Sequence, residues 1–302
     1  MNDRDTAADI RRLLREKNAV LLAHNYQRAE IQELADVLAD SLDLARYAAR
    51  ADKPLIVFCG VRFMAETADI LSEDKTVLLP RPDAGCPMAR MADTDSLSRM
   101  KERFPGARVV TYVNSTAEVK AESDICCTSA NAVRIVNGLN ADEIIFAPDR
   151  NLAHYVQRFT DKRIIPWDGY CYVHNRITAD DVKESRKLLP DAVLMVHPEC
   201  PPEVIDLADE VQSTGGMVRV AQESKARRFL IGTEEGMITR LKRENPGKEF
   251  YSVGPARLCR GMKTIHLKDV RDALEKEQHR IVVPEPVKTR ARRALENMLN
   301  EG

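Results

Sequence analysis

No sign of charge dominates this chain of 302 residues: 46 Lys and Arg stand against 47 Asp and Glu, a net charge of −1. Without a basic excess, neither nucleic acid nor an acidic membrane surface is expected as a partner, and a small molecule is. No apolar run approaches the roughly 18 residues of a membrane helix. The first residues, Met1-Asn2-Asp3-Arg4-Asp5, have neither the charge pattern nor the apolar segment of a signal peptide. These two absences lead to the expectation of a cytoplasmic protein. Also missing are a G-x-G-x-x-G fingerprint and a Walker loop, which disfavours NAD or ATP as cofactor. There is no C-x-x-C pair, and seven cysteines are an odd count in a chain this long. Reduced thiols are therefore expected, serving packing, metal binding or catalysis.

What the chain does have is 44% hydrophobic residues, enough for about two domains or three small ones. Ala19 to Ala23 is an apolar run of strand length that ends abruptly in His24-Asn25-Tyr26. Helical patterns cover Asp9 to Lys17, Ile31 to Leu38 and Leu42 to Arg50, with Ser41 placed to cap the last of them. Leu55 to Gly60 and Thr76 to Leu79 are further strands, with a helix through Met64 to Leu71 between them. Unalternating apolar runs separated by helices are how a parallel sheet covered on both faces reads.

The same order then repeats. Arg108 to Asn114, Asp124 to Cys127 and Glu143 to Ala147 form a second unit, and Arg163 to Pro166 is an additional strand. Ala192 to Val196, Arg228 to Gly232 and Glu249 to Val253 form a third. The expected fold class is α/β: three similar three-layer α/β/α domains with parallel sheets, arranged with pseudo-threefold symmetry around a central active site. Their bounds are 1–86, completed by 260–302, then 87–171 and 172–259. First strands end at His24 to Tyr26, Tyr112 to Asn114 and His197 to Glu199, and a serine recurs at Ser41, Ser123 and Ser213. Parallel sheets bind ligands beyond the carboxyl ends of their strands, so three such units turned inward would bring these groups together.

Cys86, Cys171 and Cys259 stand 85 and 88 residues apart, one per unit, each after a loop rich in Gly or Pro. Cys59, Cys126 and Cys127 lie within apolar strand runs and read as packing residues. Three thiolates suit an iron-sulfur cluster that leaves one iron unprotected and able to act as a Lewis acid. A zinc site with three thiolates is equally compatible with the spacing.

Local motifs carry the reading further. In chain order they are His24-Asn25-Tyr26, Ala39-Asp40-Ser41, Met64-Ala65-Glu66-Thr67, Gly85-Cys86-Pro87-Met88-Ala89 and Thr128-Ser129-Ala130-Asn131-Ala132. Cys171-Tyr172-Val173-His174, His197-Pro198-Glu199-Cys200, Gly232-Thr233-Glu234 and Cys259-Arg260-Gly261-Met262-Lys263 follow. The ordered set resembles the quinolinate synthase family, over nearly the whole chain.

The resemblance implies a three-domain, pseudo-threefold enzyme with a central 4Fe-4S cluster on Cys86, Cys171 and Cys259. It implies a transferase-type synthase that condenses iminoaspartate with dihydroxyacetone phosphate to quinolinate, the precursor of the pyridine ring of NAD. Ser41, Ser129 and Thr214 are then the candidate phosphate-holding hydroxyls beside helix N-termini. His24, Tyr26, Tyr112, His174, His197 and Glu199 are the candidate proton-transfer groups, and Asn114 would hold a substrate carboxylate or carbonyl. An unstable imine implies close supply, hence a transient link to an aspartate-oxidising enzyme.

Two features depart from the family pattern: His266 stands where many relatives carry Thr, and Cys259 lacks the C-x-x-C neighbours found in some, which disfavours a redox-switching disulfide there. His154, His266 and His279 read as structural, Cys200 receives no role, and the basic tail from Lys288 to Asn300 reads as the solvated face of a surface helix. The rival readings are a non-catalytic small-molecule or metal-binding protein, and a zinc-dependent lyase or aldolase using the same thiolates.

Overall fold

The computed structural model describes residues 3–301. Its strands are β1 (Ala19–His24), β2 (Val37–Ala39), β3 (Leu55–Cys59), β4 (Thr76–Leu78), β5 (Arg108–Tyr112), β6 (Ile125–Cys127) and β7 (Glu143–Ala147). They continue with β8 (Arg163–Pro166), β9 (Val193–Val196), β10 (Glu210–Val211), β11 (Arg228–Gly232), β12 (Glu249–Ser252) and β13 (Arg280–Ile281). Three sheets result, ordered β2-β1-β3-β4, β6-β5-β7-β8 and β10-β9-β11-β12, with parallel pairing throughout. Among the described residues, only β13 runs antiparallel, on the outer edge of β4. The α/β reading with three parallel sheets holds, since helices alternate with strands and cover runs such as β1 and β3, in which every residue is buried.

Three strands, β2, β10 and the two-residue β13, escaped the sequence pattern. The helix expected over Ile31 to Leu38 is Ala29–Leu34, and Val37 to Ala39 is instead β2; β10 is only two residues long. Segments this short have no periodicity to read. What marks the second strands is an aspartate just before each. Asp36, Asp124 and Asp209 accept the backbone N–H of Leu21, Val109 and Leu194 at 2.8, 2.8 and 2.7 Å. Their own N–H groups donate to the carbonyls of the same three residues at 2.9, 3.1 and 3.1 Å. This reciprocal clasp sets the register of the second strand on the first. Asp124→Ala leaves the buried Val109 N–H without an acceptor and should cost about 1–3 kcal/mol of stability, read as a lower midpoint in urea with an unchanged m-value.

The clasps also correct the expected serine repeat. Five residues past each aspartate stand Ser41, Ser129 and Thr214, not Ser123 or Ser213. Ser123 is buried against Thr111 at 2.6 Å, and Ser213 caps the helix Thr214–Glu223 by accepting from Gly216 N–H at 3.1 Å. Ser41 is likewise not a cap. Asp40 accepts from Leu42 and Asp43 at the start of the helix Ser41–Arg50, because a carboxylate competes best for the N-terminal amides. The Ser41 hydroxyl is thereby released from capping.

The C-terminal segment returns to the first sheet through β13, and the helix Leu267–Lys276 packs on the helix Asp3–Glu16. The last helix, Glu285–Glu301, buries Ala291, Ala294, Leu295 and Met298 against Arg62–Leu71, Ala117–Ala121 and Ile125–Cys127. Its basic face is not simply solvated, as the sequence suggested. Lys288 pairs with Asp69 at 3.2 Å with both side chains largely buried, and Arg290 pairs with Glu122 at 2.5 Å. Among the described residues, no helix is long and apolar enough to cross a membrane.

Candidate active site

Each parallel sheet projects the residues at and just past the end of its first strand beyond the same sheet edge, and the pairing registers make these positions equivalent. His24, Tyr112 and His197 occupy one such position, and Tyr26, Asn114 and Glu199 the position two residues on. All six line a single cavity with Ser41, Ser129 and Thr214, with Cys86, Cys171 and Cys259, and with His174. Every candidate site residue named from sequence is therefore in one place.

The cysteine loops share a construction. The N–H groups of Arg62, Arg150 and Glu235 donate to the carbonyls of Ala84, Gly169 and Arg257 at 2.8, 2.8 and 3.0 Å, in each case two residues before the cysteine. The amide of Cys171 donates to Asp149 Oδ2 and that of Cys259 to Glu234 Oε1, both at 3.1 Å. Val61 takes the corresponding place in the first unit, where Cys86 has no such carboxylate. A Cβ on Gly261 would lie 2.1 Å from the Gly85 carbonyl oxygen, so the Cys86 and Cys259 loops touch and glycine is required at that approach.

All three thiols are held above their ordinary pKa by burial, Cys86 at about 12, and mutual repulsion adds to the effect at Cys86 and Cys171. The three thiols line one cavity, and thiols reluctant to ionise alone ionise when a metal centre binds them. A second grouping, Cys171, His174 and Glu199, has ligand atoms within 4.8 Å of one another. Its histidine is already engaged on both ring nitrogens: Nδ1 lies 2.5 Å from Glu199 Oε2, and Nε2 lies 2.7 Å from Thr233 Oγ1.

Glu199 is the centre of the acid–base web. Burial alone would push its carboxyl pKa up, but His174, His197 and Tyr112 outweigh burial and hold it well below the usual range. His197 Nδ1 is 3.7 Å from its Oε2, and the His174 and His197 rings stack at 4.4 Å. Tyr26 Oη lies 2.6 Å from Thr233 Oγ1, which joins it to His174. Burial, reinforced by the charge of Glu199, raises the pKa of Tyr26 and Tyr112, so both stay protonated. The result is an ionised carboxylate beside two neutral phenols, a base and potential acids in one enclosure.

Burial also drops His24 and His197 from 6.5 to about 3, leaving both rings neutral at pH 7. An unfolded chain protonates these rings below pH 6.5, whereas the folded chain does so only near pH 3. Their contribution to stability is thus complete above the unfolded value and lost as the pH falls through this window. The Tm should fall across that interval, and His24→Gln should flatten the fall.

In the same cavity, Ser41 and Thr214 open ten-residue helices, and Ser129 stands just before the helix Ala132–Gly138. A Cβ on Gly215 would meet Asp40 Oδ2 at 2.5 Å, so the first and third helix starts are in close contact. Two participants went unseen in the sequence. Thr233 links Tyr26 to His174, and Asn25 donates to Thr214 Oγ1 at 2.9 Å while accepting from Arg240. Both sit inside motifs already singled out; what was not readable was their direction. The Asn114 Oδ1 atom is buried and has no hydrogen-bond partner, which suits a ligand group.

The sequence profile of the family described as "Quinolinate synthetase A protein" matches residues 8–300. The chain belongs to the quinolinate synthase family. The quinolinate synthase of Geobacter sp. (strain M21) is 54% identical over 299 residues, covering 99% of this chain and 98% of that one. That of Methanoregula boonei is 55% identical over 291 residues, 96% of each chain. "Quinolinate synthase 1" of Methanosarcina acetivorans is 50% identical over 299 residues, 99% of this chain and 98% of that one.

The residues that the family motifs left without a role fall outside the quinolinate synthase site. Cys200 is fully buried, its thiol facing the Gly232 carbonyl at 3.5 Å, and Cys59, Cys126 and Cys127 are core residues as expected. His266 begins the helix Leu267–Lys276, its N–H donating to Asp269 at 2.9 Å. His154 and His279 are exposed.

Proposed function

We propose that the protein condenses iminoaspartate with dihydroxyacetone phosphate to give quinolinate, phosphate and water. A 4Fe-4S cluster would be held by Cys86, Cys171 and Cys259, in a site central to three pseudo-threefold-related units of about the bounds 1–86 with 260–302, 87–171 and 172–259. The observation that carries this reading is the meeting, in one cavity, of one half-buried cysteine from each unit with the strand-end acid–base groups and the helix-start hydroxyls. The reaction balances without oxidant or reductant, so the bound cluster supplies Lewis acidity at its unprotected iron.

The side chains divide the remaining work. Ser41, Ser129 and Thr214 hold the phosphate, aided by amides at helix N-termini. Asn25 orients the Thr214 hydroxyl. Asn114 holds a substrate carboxylate or carbonyl by donating from its amide N–H₂, and its unpartnered amide oxygen accepts a substrate N–H or O–H. Glu199 takes protons released during isomerisation and dehydration, and Tyr26, kept protonated by burial and steered by Thr233, returns one to a departing hydroxyl. His174 and Tyr112 hydrogen-bond Glu199 and keep it ionised, while neutral His24 and His197 close the cavity wall as hydrogen-bonding groups.

Anaerobic purification should yield iron and inorganic sulfide with the protein, and quinolinate should accumulate from the two substrates. Zinc with oxygen-indifferent turnover would favour the lyase or aldolase reading; saturable binding without product would favour the binding protein. Supply of the imine by a transiently associated aspartate-oxidising enzyme, in the cytoplasm, completes the proposal.

A further inference from the structure

Among the described residues, no Lys or Arg lines the cavity that would take two anionic substrates. Its lining carries the carboxylic side chains of Asp40 and Glu199 and no cationic partner for them, so its interior does not attract anions over a distance. The missing positive charge lies outside. A groove against the three helix starts, sharing Asp40 with the cavity, is lined by Arg46, Arg134, Arg219 and Arg240, set against Asp40 and Asp43.

Three of these arginines repeat with the fold. Arg46, Arg134 and Arg219 each stand five residues past the cavity hydroxyls Ser41, Ser129 and Thr214. Side chains on a helix lean toward its N-terminus, so all three reach back toward the hydroxyl end of the cavity. Arg134 and Arg219 are exposed, and Arg46 is half-buried with Asp43 at 3.5 Å. Ser41 and Ser129 are themselves only partly buried, so solvent reaches this end. Arg240 is tied to Asn25 and Glu244 and belongs to the wall rather than to the rim.

We infer that Arg46, Arg134 and Arg219 form the cationic rim of the substrate mouth, which collects the dicarboxylate and the phosphate ester and delivers both to the helix-start hydroxyls. The inference rests on the proposed function for the identity of the anions. Convergent charge at a cleft raises association rates by about 10–10³-fold, an effect that salt screens. The rim acts before chemistry, so its loss alters capture and not the bond-making steps.

The test compares the holoenzyme with a variant carrying Arg46→Gln, Arg134→Gln and Arg219→Gln. Arg12→Gln, Arg163→Gln and Arg228→Gln, at exposed arginines elsewhere, serve as the charge-matched control. At low ionic strength the rim variant should lose about tenfold or more in kcat/KM for both substrates. Its kcat and iron content should be retained, and added salt should close the gap to wild type. The control variant should match wild type. Equal kcat/KM and equal salt dependence in wild type and rim variant would overturn the rim. If wild type makes no quinolinate, the proposed reaction fails separately. Calorimetric binding of inorganic phosphate then decides the rim: weaker, less salt-sensitive binding in the variant supports it, and unchanged or absent binding overturns it.

Discussion

Cys171→Ala should remove the brown cluster absorbance and turnover together. Loss of a third of a three-thiolate ligand set leaves two irons without protein anchors, and no neighbouring group can replace the thiolate. His174 is engaged on both ring nitrogens and Glu199 is held by His174 at 2.5 Å. Circular dichroism should report an intact fold, since the half-buried cysteine sits in a loop and not in a strand core. Cys200→Ala is the matched control. That thiol is fully buried in the core beside the third sheet, and its loss should lower stability while sparing iron, sulfide and activity. A colourless Cys171 variant with full turnover would sink the cluster mechanism outright.

Glu199→Gln carries the second large effect. Glutamine keeps the shape and a hydrogen-bonding amide but cannot accept a proton, so kcat should fall by about 10²–10⁴-fold. The cluster should stay in place, which separates this variant from the cysteine one. Binding of phosphate at Ser41, Ser129 and Thr214 should also survive, since those hydroxyls stand on different elements. Wild-type kcat in the glutamine variant would overturn Glu199 as the base.

Much of this site was legible because its markers are local. The strands β7, β8 and β11 have the bounds that their apolar runs announce. Cys86, Cys171 and Cys259 stand apart from Cys59, Cys126 and Cys127 because loop cysteines follow Gly and Pro, whereas packing cysteines sit within apolar runs. The failures were failures of length and register. β2 and β10 are too short to announce themselves, and without them the serine repeat slipped onto Ser123 and Ser213. Capping was also misassigned at Asp40 and Ser41, because adjacent residues both suit an N-cap and only geometry decides which one turns its oxygen to the amides.

The sequence by itself determined the α/β class, the threefold recurrence of strands and cysteines, and membership of the quinolinate synthase family. These depend on residue type and order along the chain, which short-range physics makes readable. The tertiary structure alone decided who touches whom: Tyr26 with Thr233 across 207 residues, Asn25 with Thr214 across 189, and Glu199 with His174 across the boundary between sheets. It also decided that three arginines on separate helices share one groove. Such contacts follow from how three sheets pack against one another, and that packing is set by the whole buried core and not by any local stretch.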